Sequence, residues 1–278
     1  MKETNKWLVL IVFATFSIAC SSDDGNEDEL GGNGKFIKSR VYTNLPSDAP
    51  NYDEFYTYED GLLQSASGFT HLYGTYTYGT DGRLISRSNK DEQFTYEYDN
   101  KGRISKQNEV GTDNYIALFY EGNKVITHRL YEVAGVVGGH RLEKRELLLD
   151  NKGRIIKMTD LAPEESSLDV DYEIYDYDSR GNITKVTWKP ANIEGEIFTE
   201  YEYEDIKNTY YYSLQKYYKK TYFLEFFAGL HVDNRYGLTP HLIKSYDRTY
   251  EVNDFNYPTK EFYQSYSEVY EMVYEYFD

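Results

Sequence analysis

The sequence predicts an all-β fold. It is a single large, curved antiparallel meander or open barrel of YD-like hairpins, with one or two short helices near 208–230. Three observations carry this. A glycine-centred turn motif recurs along the chain, apolar and polar residues alternate around it at period two, and the chain has 32 tyrosines among 278 residues, with one recurring at a fixed motif position, as at Tyr78, Tyr98 and Tyr177. The length suits one or two domains and is ample for a packed core.

The chain opens on a targeting segment. Lys2 and Lys6 precede an apolar run from Trp7 to Phe16, and Ser17-Ile18-Ala19-Cys20 follows. Ten apolar residues fall short of the ~20 a membrane-crossing helix needs. The order basic, apolar, small is that of a secretory signal peptide. Ending on Cys20, the one cysteine of the chain, it resembles the bacterial lipobox, in which the cysteine thiolate takes up diacylglycerol. Residues 1–19 are then the lipoprotein signal peptide. Residues 20–35, rich in Ser, Gly, Asn and acids, are a flexible acidic tether. Acids just after the cysteine (Asp23, Asp24) resemble the surface-export signal of Bacteroidota-type lipoproteins. The acidic cluster lacks EF-hand spacing, so a solvated spacer is the plainer reading than a calcium loop.

Residues 36–278 form the β domain. Tyr78-Gly79-Thr80-Asp81-Gly82-Arg83-Leu84 recurs as Tyr98-Asp99-Asn100-Lys101-Gly102-Arg103-Ile104. It returns as Leu149-Asp150-Asn151-Lys152-Gly153-Arg154-Ile155 and Tyr177-Asp178-Ser179-Arg180-Gly181-Asn182-Ile183. Degenerate copies start at Tyr58 (with Gly61), Tyr120 (with Gly122) and Tyr203. Asp at the head of the turn bonds the backbone two residues on. The glycine supplies the left-handed residue of a bulge that closes a short hairpin loop. Gly61, Gly82, Gly102, Gly122, Gly153 and Gly181 are thus turn glycines. Each unit is one hairpin, for about 14 strands in all, and a sheet beyond ~10 strands is expected to curl or close.

The Tyr-Asp-x-x-Gly-Arg-Leu/Ile motif resembles the YD repeat of the RHS/YD group. The layout as a whole is similar to a Bacteroidota-type lipoprotein family of unknown function, in which lipobox and acidic tether lead into hairpins of a porin-like antiparallel sheet. Tyr201 to Asn208 and Tyr250 to Lys260 look like closing motifs of that family. The resemblance covers about residues 36 to 278 and implies an outer-membrane, lipid-anchored protein facing the cell exterior. A lipid-facing outer-membrane barrel is not expected, because it needs an outward apolar band and the mean hydropathy is −0.72.

Asn208 to Leu230 breaks the pattern. Leu214, Tyr217, Tyr218, Thr221 and Leu224 fall at helical spacing, and Gly229 suits a helix end. The expected role is to cap one end or cover one face of the sheet.

No chemistry-bearing motif stands out. His71, His128, His140, His231 and His241 show no metal-ligand spacing, and no nucleophile-elbow, dinucleotide or Walker motif occurs. The Gly135–Gly139 stretch has no following Lys-Ser/Thr, so it reads as a hairpin loop. The chain is therefore expected to have no catalytic residues, metal or cofactor. A formal charge of −17 argues against nucleic acid. Paired carboxylates for glycan hydrolysis are the enzymatic alternative. Trp188 is the stacking residue expected for a ligand outside the repeat. The repeat tyrosines are expected to face inward as a ladder, with Glu97, Glu202 and Glu204 facing water. The expected function is a non-catalytic surface lipoprotein, structural or binding a glycan or protein partner, attached to the membrane through its lipid.

Cys20→Ser is expected to release the protein from the membrane fraction, since two or three acyl chains anchor firmly and none does not. Fractionation of cells expressing the variant, with mass spectrometry of the mature N-terminus, checks this; an uncut leader in mature protein contradicts it.

Overall fold

The computed structural model describes residues 36–43, 52–70, 72–133, 138–161, 172–189, 194–227, 238–265 and 268–277. Cys20, the tether, His71, Gly135–Val137, Gly229 and His231 lie outside them.

Among the described residues the strands are β1 (Ile37–Tyr42), β2 (Glu54–Glu59), β3 (Leu62–Gly68), β4 (Gly74–Tyr78), β5 (Leu84–Ser88), β6 (Gln93–Tyr98) and β7 (Ile104–Glu109). They continue as β8 (Tyr115–Glu121), β9 (Lys124–Glu132), β10 (His140–Leu149), β11 (Ile155–Leu161), β12 (Tyr172–Tyr177), β13 (Ile183–Lys189), β14 (Ile197–Glu200) and β15 (Tyr203–Lys207). Helices α1 (Thr209–Ser213) and α2 (Gln215–Phe227) precede β16 (His241–Ile243), β17 (Arg248–Val252), β18 (Pro258–Ser265) and β19 (Glu268–Tyr276).

Seventeen strands make one antiparallel sheet, not closed into a barrel. β2 to β14 follow as a meander, each paired with the next. The first strand departs from the simple meander expected. β1 lies between β2 (Arg40 opposite Glu54) and the last strand β19 (Arg40 opposite Tyr274), with β18 and β17 beyond. Both edges of β1 are thereby covered, which removes an exposed strand edge. The strand number exceeds the 14 expected because several strands lack a glycine turn. The turn joining β17 to β18 uses Asn253 in place of Asp and Asn256, at φ 66°, in place of Gly.

The repeat turn is a cage around one carboxylate. Asp99 Oδ1 accepts from the N–H groups of Lys101 and Arg103, both at 2.9 Å, and the Arg103 guanidinium reaches Asp99 Oδ2 at 2.6 Å. The Gly102 N–H closes on the Asp99 carbonyl at 3.0 Å. Asp150 repeats the cage with Lys152 and Arg154, and in the Asp178 copy Asn182 replaces the arginine. Burial opposes the charge of Asp99, but the Arg103 and Lys101 donors together outweigh it and hold the carboxyl below its ordinary range.

Gly102 has φ 77°, a region costly for L-residues; Gly82, Gly153 and Gly181 have φ 68°, 78° and 93°. The degenerate copies differ. Asp60 and Gly61 (φ 50° and 70°) form a two-residue type I′ turn, and Gly122 with Asn123 forms another two-residue loop, both too short for the cage. The Tyr203 copy is no turn. It is strand β15, paired with β16, because Ile206 and Lys207 offer no left-handed residue. Outside the repeat, Gly68 (φ 91°) is required by close approach, since a Cβ there would stand 1.8 Å from the Asp53 carbonyl oxygen.

Tyrosine joins each hairpin to the one before. Neighbouring hairpins pair only at their far ends: β5 and β6 pair from Ser88–Gln93 to Ser86–Thr95, leaving Leu84 beyond the ladder. Tyr98 fills the wedge and donates its hydroxyl to the Leu84 carbonyl at 2.7 Å. The same bond runs from Tyr78 to Leu63 (2.9 Å), Tyr120 to Ile104 (2.7 Å), Tyr177 to Ile155 (2.8 Å) and Tyr203 to Ile183 (2.6 Å). Arg83, Arg103 and Arg154 lie over the rings of Tyr98, Tyr120 and Tyr177, at 5.3, 3.8 and 4.2 Å. Where Leu149 stands in the tyrosine position, β9 and β10 pair almost to the turn, and no wedge opens.

The Leu/Ile that ends the motif is core: Leu84, Ile104, Ile155 and Ile183 are buried. The tyrosines pack partly buried against the same cores, while Glu97 and Glu202 are exposed and Glu204 is half-buried. Leu214, Tyr217, Tyr218, Thr221 and Leu224 are all buried, as their spacing requires. Asn208 caps α1 through the Tyr210 N–H at 3.1 Å. Together α1 and α2 reach β1 (Ile37 N–H to Ser213 Oγ, 2.9 Å), β19 (Thr209 with Tyr276, 2.9 Å), β4 (Tyr76 ring on Tyr217) and β8 (Tyr120 ring on Phe223). One helix pair touches strands so far apart in order only if the sheet curves around it.

Tyr98→Phe leaves the Leu84 carbonyl without its donor and is expected to cost about 1–3 kcal/mol. Gly102→Val is expected to cost about 1–2 kcal/mol through backbone strain, and Glu97→Ala under about 0.5 kcal/mol. Urea unfolding of the three variants tests the order.

Candidate functional site

The inner face carries three polar features, and only tertiary packing assembles them. The first lies where β1, β2 and β17–β19 meet. Arg40 Nη2 reaches Glu54 Oε1 at 2.8 Å; Glu54 Oε2 accepts the hydroxyls of Tyr56 (2.8 Å) and Tyr210 (2.6 Å). Alongside, Glu261 pairs with Arg248 through Oε1 and accepts the Tyr274 hydroxyl through Oε2 at 2.7 Å. Both glutamates are buried. Burial first, then the glutamate beside each, pushes the Tyr56 and Tyr274 hydroxyls well above their usual range, so they stay protonated and donate. All four carboxylate oxygens are engaged. The cluster therefore fastens the β19–β1–β2 junction.

The second feature is a cavity of about 430 Å³ at the end of the inner face remote from the turns. Rings of Phe94, Tyr96, Tyr115 and Tyr131 line it, half-buried, from β6, β8 and β9. Gln107, Glu109 and Asn114 supply polar groups from β7 and the loop after it; Arg87, Glu92 and Arg129 complete the wall, and α2 contributes Thr221 and Leu224. The polar groups are held in place. Asn114 Nδ2 donates to Glu109 Oε2 at 2.8 Å, the Glu132 N–H donates to Asn114 Oδ1 at 2.9 Å, and the Tyr131 hydroxyl donates to Glu143 at 2.8 Å. Arg129 lies 5.0 Å from the centre of the Tyr131 ring. Aromatic faces with fixed amide, carboxylate and guanidinium groups suit a hydroxyl-rich ligand with apolar C–H faces, such as a sugar.

The third is a recess of about 480 Å³ at the turn end, between α2 and the turns at Gly82 and Gly102.

The residues singled out in the sequence fall elsewhere than the cavity. The repeat glycines sit at turns. Trp188 is half-buried and packs against the Ile155–Tyr175–Val186 core, lining neither recess. His128 lies against the exposed Phe119 ring at 4.9 Å, its pKa lowered by burial and by Lys144. His241 stands beside Asn182 Oδ1 at 3.3 Å, its pKa lowered by burial and by Arg180. Among the described residues no three His, Cys, Asp or Glu side chains gather as a metal site.

One signal for the cavity was present in the repeat. Five residues after the repeat glycine the chain faces inward. Met158 and Val186 are core there, whereas Gln107 and Arg87 are polar and line the cavity.

No family model matches the chain, and no curated protein does. Among solved structures it is similar to a porin-like protein from Bacteroides uniformis at 11% identity and TM-score 0.36, over 88% of this chain and 99% of that one. A likeness at that level speaks to neither ligand nor activity.

Glu54→Gln removes one partner of a buried ion pair and is expected to destabilise the protein by about 3–5 kcal/mol. Thermal and urea unfolding check it; a loss under about 1 kcal/mol would show that the pair does not hold the junction.

Proposed function

We propose that this is a cell-surface lipoprotein, held at the outer membrane through Cys20, that binds a glycan without catalysis in the cavity beside α2. The observation that carries the reading is that cavity: about 430 Å³, with the half-buried rings of Phe94, Tyr96, Tyr115 and Tyr131 facing fixed polar groups. The lipobox-like Ser17–Cys20 and the acids after it support the anchoring. A role as a purely structural or protein-binding surface component is the outcome if no glycan binds.

A second reading has one specific observation behind it. Glu92 and Glu109 line the same cavity, and a carboxylate pair is what glycan hydrolysis requires. Against it, Glu109 is tied to Asn114, and Glu92 stands exposed.

A glycan array followed by calorimetry on the hits tests the proposal. Phe94→Ala is expected to weaken binding about tenfold or more, on the order of 1–3 kcal/mol for a lost stacking face. No bound glycan, or binding unchanged in that variant, removes the reading. Release of reducing ends that disappears in Glu109→Gln would make the protein a hydrolase. Protease shaving of intact cells decides whether the domain faces outward.

A further inference from the structure

Five cationic side chains gather at the turn-end recess of a chain whose formal charge is −17. Arg83 and Arg103 come from the repeat turns, where Asp81 and Asp99 pair with them. Lys216, Lys219 and Lys220 come from one face of α2. Lys216 Nζ donates to the Asp60 carbonyl at 2.8 Å. Among the described residues none of the three lysines forms an ion pair with a carboxylate.

Like charges at i, i+3 and i+4 repel along a helix. The fold does not need them, because the buried face of α2 is Tyr217, Tyr218, Thr221 and Leu224. Lys220 is half-buried against the recess. Burial lowers its pKa; Asp81 opposes this, and Arg83, Lys219 and Lys216 add to it. The recess walls are the rings of Tyr98, Tyr120, Tyr222 and Phe223; at its mouth Lys216 and Lys219 are exposed, where a charged ligand can reach them. The nearby acids are Asp60, Asp81 and Asp99, fewer than the cations and two of them engaged within their own turns.

We propose that this recess binds a phosphate group, presented by an anionic lipid headgroup or by a soluble phosphate ester, through Lys216, Lys219 and Lys220. The position of the chain entry favours the headgroup. A Cβ on Gly61 would lie 3.1 Å from Lys216 Nζ and 3.2 Å from the ring of Phe36, so the first described residue adjoins the lysines. With an anchor at Cys20, as the lipoprotein reading has it, only the 15 residues 21–35 separate that anchor from Phe36.

The full chain bearing Cys20→Ser tests the recess with no acyl chain contributing. Its probes are vesicles of phosphatidylglycerol and phosphatidylcholine in equal parts, vesicles of phosphatidylcholine alone, and glycerol 1-phosphate. Cosedimentation with the anionic vesicles only is expected. It should fall roughly a hundredfold when Lys216, Lys219 and Lys220 are all changed to Gln, at about fivefold per lysine, and it should weaken with added salt. An unchanged thermal midpoint in the triple variant establishes that the fold persists.

Lysine-dependent binding of glycerol 1-phosphate without vesicle binding supports the site and assigns it to a soluble ester. Vesicle binding that the triple variant retains, or no binding of either probe, overturns the proposal. If binding emerges only after Asp23, Asp24, Glu27, Asp28 and Glu29 are neutralised, the lysines serve the chain's own acids and the proposal falls. None of these outcomes depends on whether Cys20 is acylated, which fractionation of the unaltered protein decides.

Discussion

The bond from a tyrosine hydroxyl to the carbonyl of the preceding hairpin governs the architecture. Two hairpins that pair along their whole length have every backbone group satisfied and need nothing else, as β9 and β10 show where Leu149 replaces the tyrosine. Hairpins that part near their turns leave carbonyls such as those of Leu63, Leu84, Ile104, Ile155 and Ile183 outside the ladder, and a buried unpaired carbonyl is costly. Tyrosine answers both parts of the problem: the ring fills the wedge and the hydroxyl caps the carbonyl. Phenylalanine would supply only the first. The arginine of one turn over the tyrosine of the next unit ties the same wedge from the turn side. Burial pushes the Tyr98 and Tyr120 hydroxyls up to about 12, which keeps them donors at any physiological pH.

Hairpins wedged apart at one end fan out, and a fanned sheet curves. The curved inner face is too wide for its own side chains to fill. The helix pair occupies that space and bridges both core clusters, with Leu224 in one and Tyr210, Leu214, Tyr217 and Tyr218 in the other. The last strand then returns to the first. The two glutamates at that return are buried, each paired with an arginine, with all their carboxylate oxygens engaged. Such an arrangement adds little net stability over apolar packing but strongly disfavours any pairing that would strand a charge.

Among the described residues, the inner face beside the helix holds two recesses of different chemistry. The one remote from the turns has half-buried aromatic rings and a balance of Arg and Glu. The one at the turns has lysines from α2 and arginines from the repeat. The division follows from the repeat itself. The turn end is built from the motif residues of each unit, so its chemistry is set by the motif and by what the helix brings to it. The far ends of the strands carry no motif residues, and there the units differ.

The sequence by itself determined the class of fold, the hairpin as its unit, the Asp and Gly roles in the turns and the helical face from Leu214 to Leu224. Each of these rests on contacts between residues close along the chain, or on a period that burial on one face imposes. The Asn253–Asn256 turn and the failure of the Tyr203 copy were also local, and a stricter requirement for a left-handed residue would have separated them. Tertiary structure alone decided the rest. The place of β1 between β2 and β19 joins residues more than two hundred apart, and no local pattern encodes which edge a terminal strand meets. Arg40, Glu54, Arg248 and Glu261 read as ordinary strand charges until the fold brings them together and buries the two glutamates. The cavity and the lysine recess exist only because a helix from one stretch of chain lies across strands from several others. What a single strand or turn can specify is its own geometry; which side chains share a cavity is fixed by the curvature of the sheet around the helix.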